Sequence, residues 1–169
     1  MTPLPVPAAA GLASTTGLAS NAGYDLVLLA HVLSVLIGLG AVAAAGGSAL
    51  ALRRPGPPSE ALRRYYRPGV NWAGRVLFLV PVFGAVLIAM SHRHWSYSDR
   101  WVGIGLVVWA GVALAGEMVL WPAERRLQVA VGGQDPVPGF RRQCLMVVAV
   151  AAVMVVALIA ATVVMVAKP

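Results

Sequence analysis

The chain has 169 residues, is 59% hydrophobic and only 11% charged, and carries a formal charge of +7. Soluble domains carry about 25% charged residues, and the mean hydropathy is +0.80, so an ordinary soluble domain is excluded. The arginines stand in the links between apolar blocks, where they report topology rather than nucleic acid binding.

Residues 1–23 contain no Lys or Arg. A secretory signal with a basic leading region is therefore not expected there. Rich in Pro, Ala, Gly, Ser and Thr, the segment reads as a disordered extracytoplasmic tail. The remainder, 24–169, reads as a membrane domain with helices at about 24–52, 70–91, 101–121 and 143–167. The expected fold is all-α, a four-helix transmembrane bundle with both termini extracytoplasmic.

The first apolar block, Leu26 to Leu52, exceeds the roughly 20 residues that a bilayer requires. It holds His31, Ser34 and Ser48 but no charge, and it stops at Arg53-Arg54-Pro55-Gly56-Pro57-Pro58. Small residues recur every fourth position on two ridges, Gly40, Ala44, Ser48 and Ala41, Ala45, Ala49. Such ridges let helices approach closely in lipid, where burial alone drives little association. The Gly40, Ala44, Ser48 ridge is taken as the packing face, with this helix at the centre of the bundle.

In the second block, Val76 to Met90 is uncharged but short. It spans if it starts near Val70 and Arg75 reaches out to the headgroups, and Pro81 predicts a kink. The third, Trp101 to Trp121, is glycine-rich, holds Glu117 and is expected to close at Pro122. The fourth, Cys144 to Ala167, has no charge, Gly or Pro and is expected to be the most lipid-exposed. The single cysteine, Cys144, can form no internal disulfide.

Ten arginines fall on one side: Arg53, Arg54, Arg63, Arg64, Arg67, Arg75, Arg125, Arg126, Arg141 and Arg142. The other side has Arg93, Arg100 and Lys168. The positive-inside rule puts the ten in the cytoplasm. Tyr24, Trp95, Tyr97 and Trp101 are then an outer aromatic belt, and Tyr65, Tyr66, Trp72 and Trp121 an inner one. The predominance of Arg over Lys, with abundant Ala, Val and Gly, suggests a GC-rich bacterial genome, and the helical bundle is then expected in the bacterial cytoplasmic (inner) membrane.

Arg75 lies one turn into the second helix and Glu117 one turn from the end of the third. Equal depth on adjacent helices predicts a structural ion pair, since a lone charge there is unfavourable. A proton or ion site at Glu117 is the alternative. The three histidines, His31, His92 and His94, all fall on the outer side. An H-x-H pair plus a remote His has the ligand types for copper or zinc, and haem ligation is a further option. For His31 a hydrogen bond to a neighbouring helix and a protonation switch stay open. No nucleophile elbow, phosphate loop, H-E-x-x-H or C-x-x-C is present, so no catalytic residues are nominated.

His31-Val32-Leu33-Ser34-Val35-Leu36-Ile37-Gly38, Leu79-Val80-Pro81-Val82-Phe83-Gly84, and Trp101 to Trp121 followed by Pro122 and Arg125-Arg126-Leu127 together resemble a family of small bacterial four-helix integral membrane proteins of unknown function. That family is distantly similar to the copper-resistance D-type membrane proteins. The resemblance covers about 26–127 and implies four helices with an early His. It implies no established activity.

The expected function is a non-catalytic accessory or assembly component of a membrane complex, with a respiratory complex among the candidates, or a homo-oligomer. The alternatives are a copper- or haem-handling protein using His31, His92 and His94, and a small transporter using Glu117 or His31. The bilayer is the expected partner and nucleic acid is not.

Overall fold

The computed structural model describes residues 10–91, 95–133 and 138–167, with side chains from residue 22 onward. Among these residues the chain is helical throughout its regular elements. They are α1 (Ala10–Ala51), α2 (Glu60–Tyr65), α3 (Trp72–Arg75), α4 (Leu79–Met90), α5 (Arg100–Ala115), α6 (Trp121–Gly132) and α7 (Phe140–Ala167). A 3-10 turn, Val76–Phe78, joins α3 to α4, and a π turn, Gly116–Leu120, joins α5 to α6.

Four stretches are long and apolar enough to cross a bilayer: Ala22–Ala51 (30 residues), Trp72–Met90 (19), Arg100–Gly132 (33) and Phe140–Ala167 (28). The chain is a multi-pass membrane protein by this criterion. At 1.5 Å per residue the four run to roughly 45, 28, 50 and 42 Å.

The second stretch begins where Asn71 caps α3 by accepting from Gly74 N–H at 3.2 Å, which satisfies one of the free donors of a helix start. Pro81 falls in the first turn of α4. A proline is tolerated there, because first-turn N–H groups have no partner within their own helix. The 3-10 turn just before it absorbs the change in pitch.

Two boundaries differ from the sequence expectation. The first helix starts at Ala10, so 10–23 continues α1 rather than forming a disordered tail. The third does not stop at Pro122. Trp121 N–H bonds to Gly116 O, five residues back instead of four. This π turn widens the helix ahead of the proline, Pro122 becomes an early residue of α6, and the helix runs on to Gly132.

The spans close in chain order around a ring. α1 packs against α4 and α7, and α5 packs against α7. His31 meets Val80 and Gly38 meets Leu77, so α1 and α4 are antiparallel. Gly105 and Gly116 meet Met165 and Met154, so α5 and α7 are antiparallel too. The α4 and α5 backbones approach less closely, and indoles fill that seam. Trp109 Nε1–H donates to Leu77 O at 2.8 Å, and the Trp109 ring meets Phe78 edge-on at 6.2 Å.

The core runs through Val42, Ala45, Ala49, Leu77, Val112, Leu120, Val147, Ala151 and Met154. The fourth span is thus the most internal of the four, a third of its most apolar window being buried. It is not the lipid-exposed helix that its featureless composition suggests. Its small Ala and slim Val residues fit between α1 and α5, where a methyl on Gly46 would lie 2.9 Å from Ala151 Cβ.

The packing face of α1 is also not the ridge singled out in the sequence. Gly40 and Ala44 are exposed and Ser48 is half-buried, while Ala41, Ala45 and Ala49 are buried. Nothing in the described residues lies within 4 Å of a methyl built on Gly40. The two ridges are only one residue apart. What selects the Ala41 ridge is the neighbouring Gly38, Val42 and Gly46, which widen the contact toward α4 and α7.

Candidate functional site

Polar side chains gather at two levels. The first is within the spans. His31 Nδ1 lies 3.0 Å from Val80 O. A carbonyl only accepts, so Nδ1 is the donor of this bond and Nε2 faces away from it. Gly84, one turn further along α4, has no side chain to displace the ring, which lies against it. His92 and His94 lie outside the described residues. Among the described residues no three His, Cys, Asp or Glu side chains group as a metal site.

Leu77 O is the carbonyl that an N–H at position 81 would bond, and Pro81 has none. Trp109 supplies the donor from α5. Ser34 and Thr162 turn back on their own helices, bonding Ala30 O at 2.8 Å and Leu158 O at 2.9 Å.

The second level is the arginine-rich end. Arg75 Nε lies 3.7 Å from Glu117 Oε1, with the side chains 31% and 44% exposed. A contact of that length and exposure is a weak pair. Arg75 also lies over the Trp72 ring, 5.9 Å from its centre, a favourable place for a cation.

Nearby, Glu124 is only 4% exposed. Tyr65 donates its hydroxyl to Glu124 Oε1 at 2.8 Å, and Asn71 Nδ2 lies 3.4 Å from both carboxylate oxygens. Gln128 Nε2 donates to Gly69 O at 3.4 Å. Glu124 therefore ties the first link to α6. A narrow cleft beside it is lined by Asn71, Arg75, Trp121, Glu124, Arg125 and Gln128, with Gly69 and Val70. Burial first, then the Glu124 charge and the bond to it, push the Tyr65 hydroxyl well above its usual range. Burial, then Glu124 and Cys144, raise Tyr66 likewise.

Two residues of the expected inner belt belong to this packed layer. Tyr66 is 2% exposed and Trp121 7%. The Trp121 ring covers Gly74 so closely that a methyl there would overlap it. Glu124 carries no site signal in the sequence, where it follows Pro122 among the charged residues of a link. Once the helix is known to pass Pro122, Trp121, Glu124, Leu127 and Gln128 fall on one face of α6.

No protein-family model, curated protein or solved structure matches the chain. The reading of function therefore stands on this geometry.

Proposed function

We propose that the chain is a non-catalytic accessory or assembly subunit of a membrane complex, set in a bacterial cytoplasmic membrane with both termini outside. The observation that carries this reading is the bare small-residue face of α1. Gly40, Ala43, Ala44 and Gly47 are exposed, with open space over both glycines. The opposite face already seats α4 and α7. In lipid, small residues act by letting another helix come close, so a face of this kind suits a transmembrane helix of a partner or of a second copy. The polar groups of the spans serve the bundle itself, as His31, Trp109, Ser34 and Thr162 all bond to backbone carbonyls.

The test is purification in mild detergent from the native membrane. A companion, or a second copy, should survive at fixed stoichiometry and be lost in Gly40→Leu with the monomer still folded. A wild-type chain that runs alone would reject the proposal.

A second reading, metal or haem handling by His31 with His92 and His94, draws support from one detail. The bond from Nδ1 to Val80 O orients the ring and frees Nε2, as outer-shell partners do for ligating histidines. Bound copper, zinc or a haem absorption band that disappears with His31→Ala would favour it. Metal-free, colourless protein would reject it.

A further inference from the structure

The arginine-rich end contains a group of donors that the bundle itself leaves unmatched. Arg53 Nε, Tyr66 Oη and Gln143 Nε2 are buried and have no hydrogen-bond partner among the described residues. The Arg and Gln nitrogens can only donate. Buried donors without acceptors are rare in folded proteins, and each one calls for an explanation. These three come from three separate places, the turn after α1, the residue after α2 and the start of α7.

The helix register brings them to one level. Gly46 faces Ala151, and α1 and α7 are antiparallel, because α1 opposes α4, α4 opposes α5 and α5 opposes α7. Seven residues out along each, about 10 Å, stand Arg53 and Cys144. Tyr66 shares a buried cluster with Leu52, next to Arg53 in the chain, and with Cys144. Arg53 is half-buried, with its Nε buried. Arg54, Arg141 and Arg142 are exposed at the same end. Among the described residues none of these four arginines has an ion pair; the pair at this end is Arg75 with Glu117. The most intimately packed helices of the bundle thus meet in a dibasic end on each, with neutral donors between them.

We propose that this junction binds the phosphate of an anionic phospholipid headgroup, held by Arg53, Arg54, Arg141 and Arg142, with the buried Tyr66 and Gln143 donors turning out from beneath the arginines to meet it. The donor set matches the several acceptor oxygens of a phosphate. The site lies where the apolar spans end, at headgroup depth, and basic pockets between helix ends are a known means of seating such lipids. The inference rests on the membrane reading and is independent of the partner proposed above.

The experiment uses the full chain in neutral detergent, with thermal unfolding followed while phosphatidylglycerol, phosphatidylcholine or inorganic phosphate is added. Phosphatidylglycerol should raise the midpoint by several degrees and phosphatidylcholine should do little. Tyr66→Phe, which removes one oxygen and keeps the ring, should reduce the shift by half or more. Arg53→Gln should remove most of it. Arg126→Gln, an equal loss of charge on exposed α6 surface, should leave it intact. Equal shifts with both lipids, a full shift in Tyr66→Phe and Arg53→Gln, or an equal loss in Arg126→Gln would each overturn the site. A shift produced as well by inorganic phosphate would overturn the lipid as its occupant.

Discussion

Trp109 donates its indole N–H to Leu77 O at 2.8 Å, the carbonyl that Pro81, four residues on, cannot serve. A donor on one helix thus completes the backbone of another. Trp109→Phe should destabilise the bundle by about 1 kcal/mol, the scale of hydrogen bonds between membrane helices. Pro81→Ala, which restores a donor within α4, should lessen that loss. Unfolding of the two single variants and the double variant measures the coupling, and strict additivity would show that the two residues act independently.

The two kinds of glycine separate by substitution. Gly74→Ala forces a methyl into the Trp121 ring, a rigid neighbour in a packed layer. Overpacking of this kind costs about 1–3 kcal/mol. Gly40→Ala meets open space and should leave the isolated chain as stable as before or slightly more stable, since Ala favours the helix. Thermal midpoints of the two variants in one detergent check the contrast.

Arg75→Glu and Glu117→Arg should each weaken the bundle, by about 1 kcal/mol or less for a pair this exposed. The double exchange should recover most of the loss. If it recovers nothing, each charge acts through other neighbours, Trp72 being the first candidate for Arg75.

Tyr65 and Tyr66 lose their protons less readily in the fold than the ordinary value of 10.0. The folded chain therefore holds these protons more tightly than the unfolded chain. Their contribution is complete below about pH 10 and is lost as pH rises above it. Stability should be flat in this respect through neutral pH and fall in strong alkali. The fall should be shallower in Tyr65→Phe, which also gives up the bond to Glu124. A pH series of unfolding midpoints reads both effects.

The number and rough placement of the spans could be read from the sequence because a bilayer demands long apolar runs, and nothing else in the chain supplies them. The depth of Arg75 and Glu117 followed from counting turns, and the two side chains do lie near each other. Choices between adjacent faces could not be read in this way. Gly40 and Ala41 differ by one position, and only the placement of α4 and α7 decides which ridge is covered. Pro122 looked like a stop because its missing N–H breaks the usual ladder, yet one π turn carries the helix past it. Glu124 depended on that same continuation. Its partners, Tyr65 and Asn71, lie 59 and 53 residues away in the chain, a distance that no local pattern spans.

The unequal lengths of the four spans act on the surrounding lipid. The Trp72–Met90 wall is about 28 Å tall, close to the hydrocarbon thickness of a bilayer, while the Ala22–Ala51 stretch of α1 beside it is taller by half. The perimeter of the protein therefore has one low side. Lipid beside α4 can stay undistorted or thin slightly, whereas lipid around α1 must thicken or that helix must tilt. A membrane of uneven height drives proteins to meet along matching edges, so the low side gives the chain a preferred heading among its neighbours before any side chain makes contact.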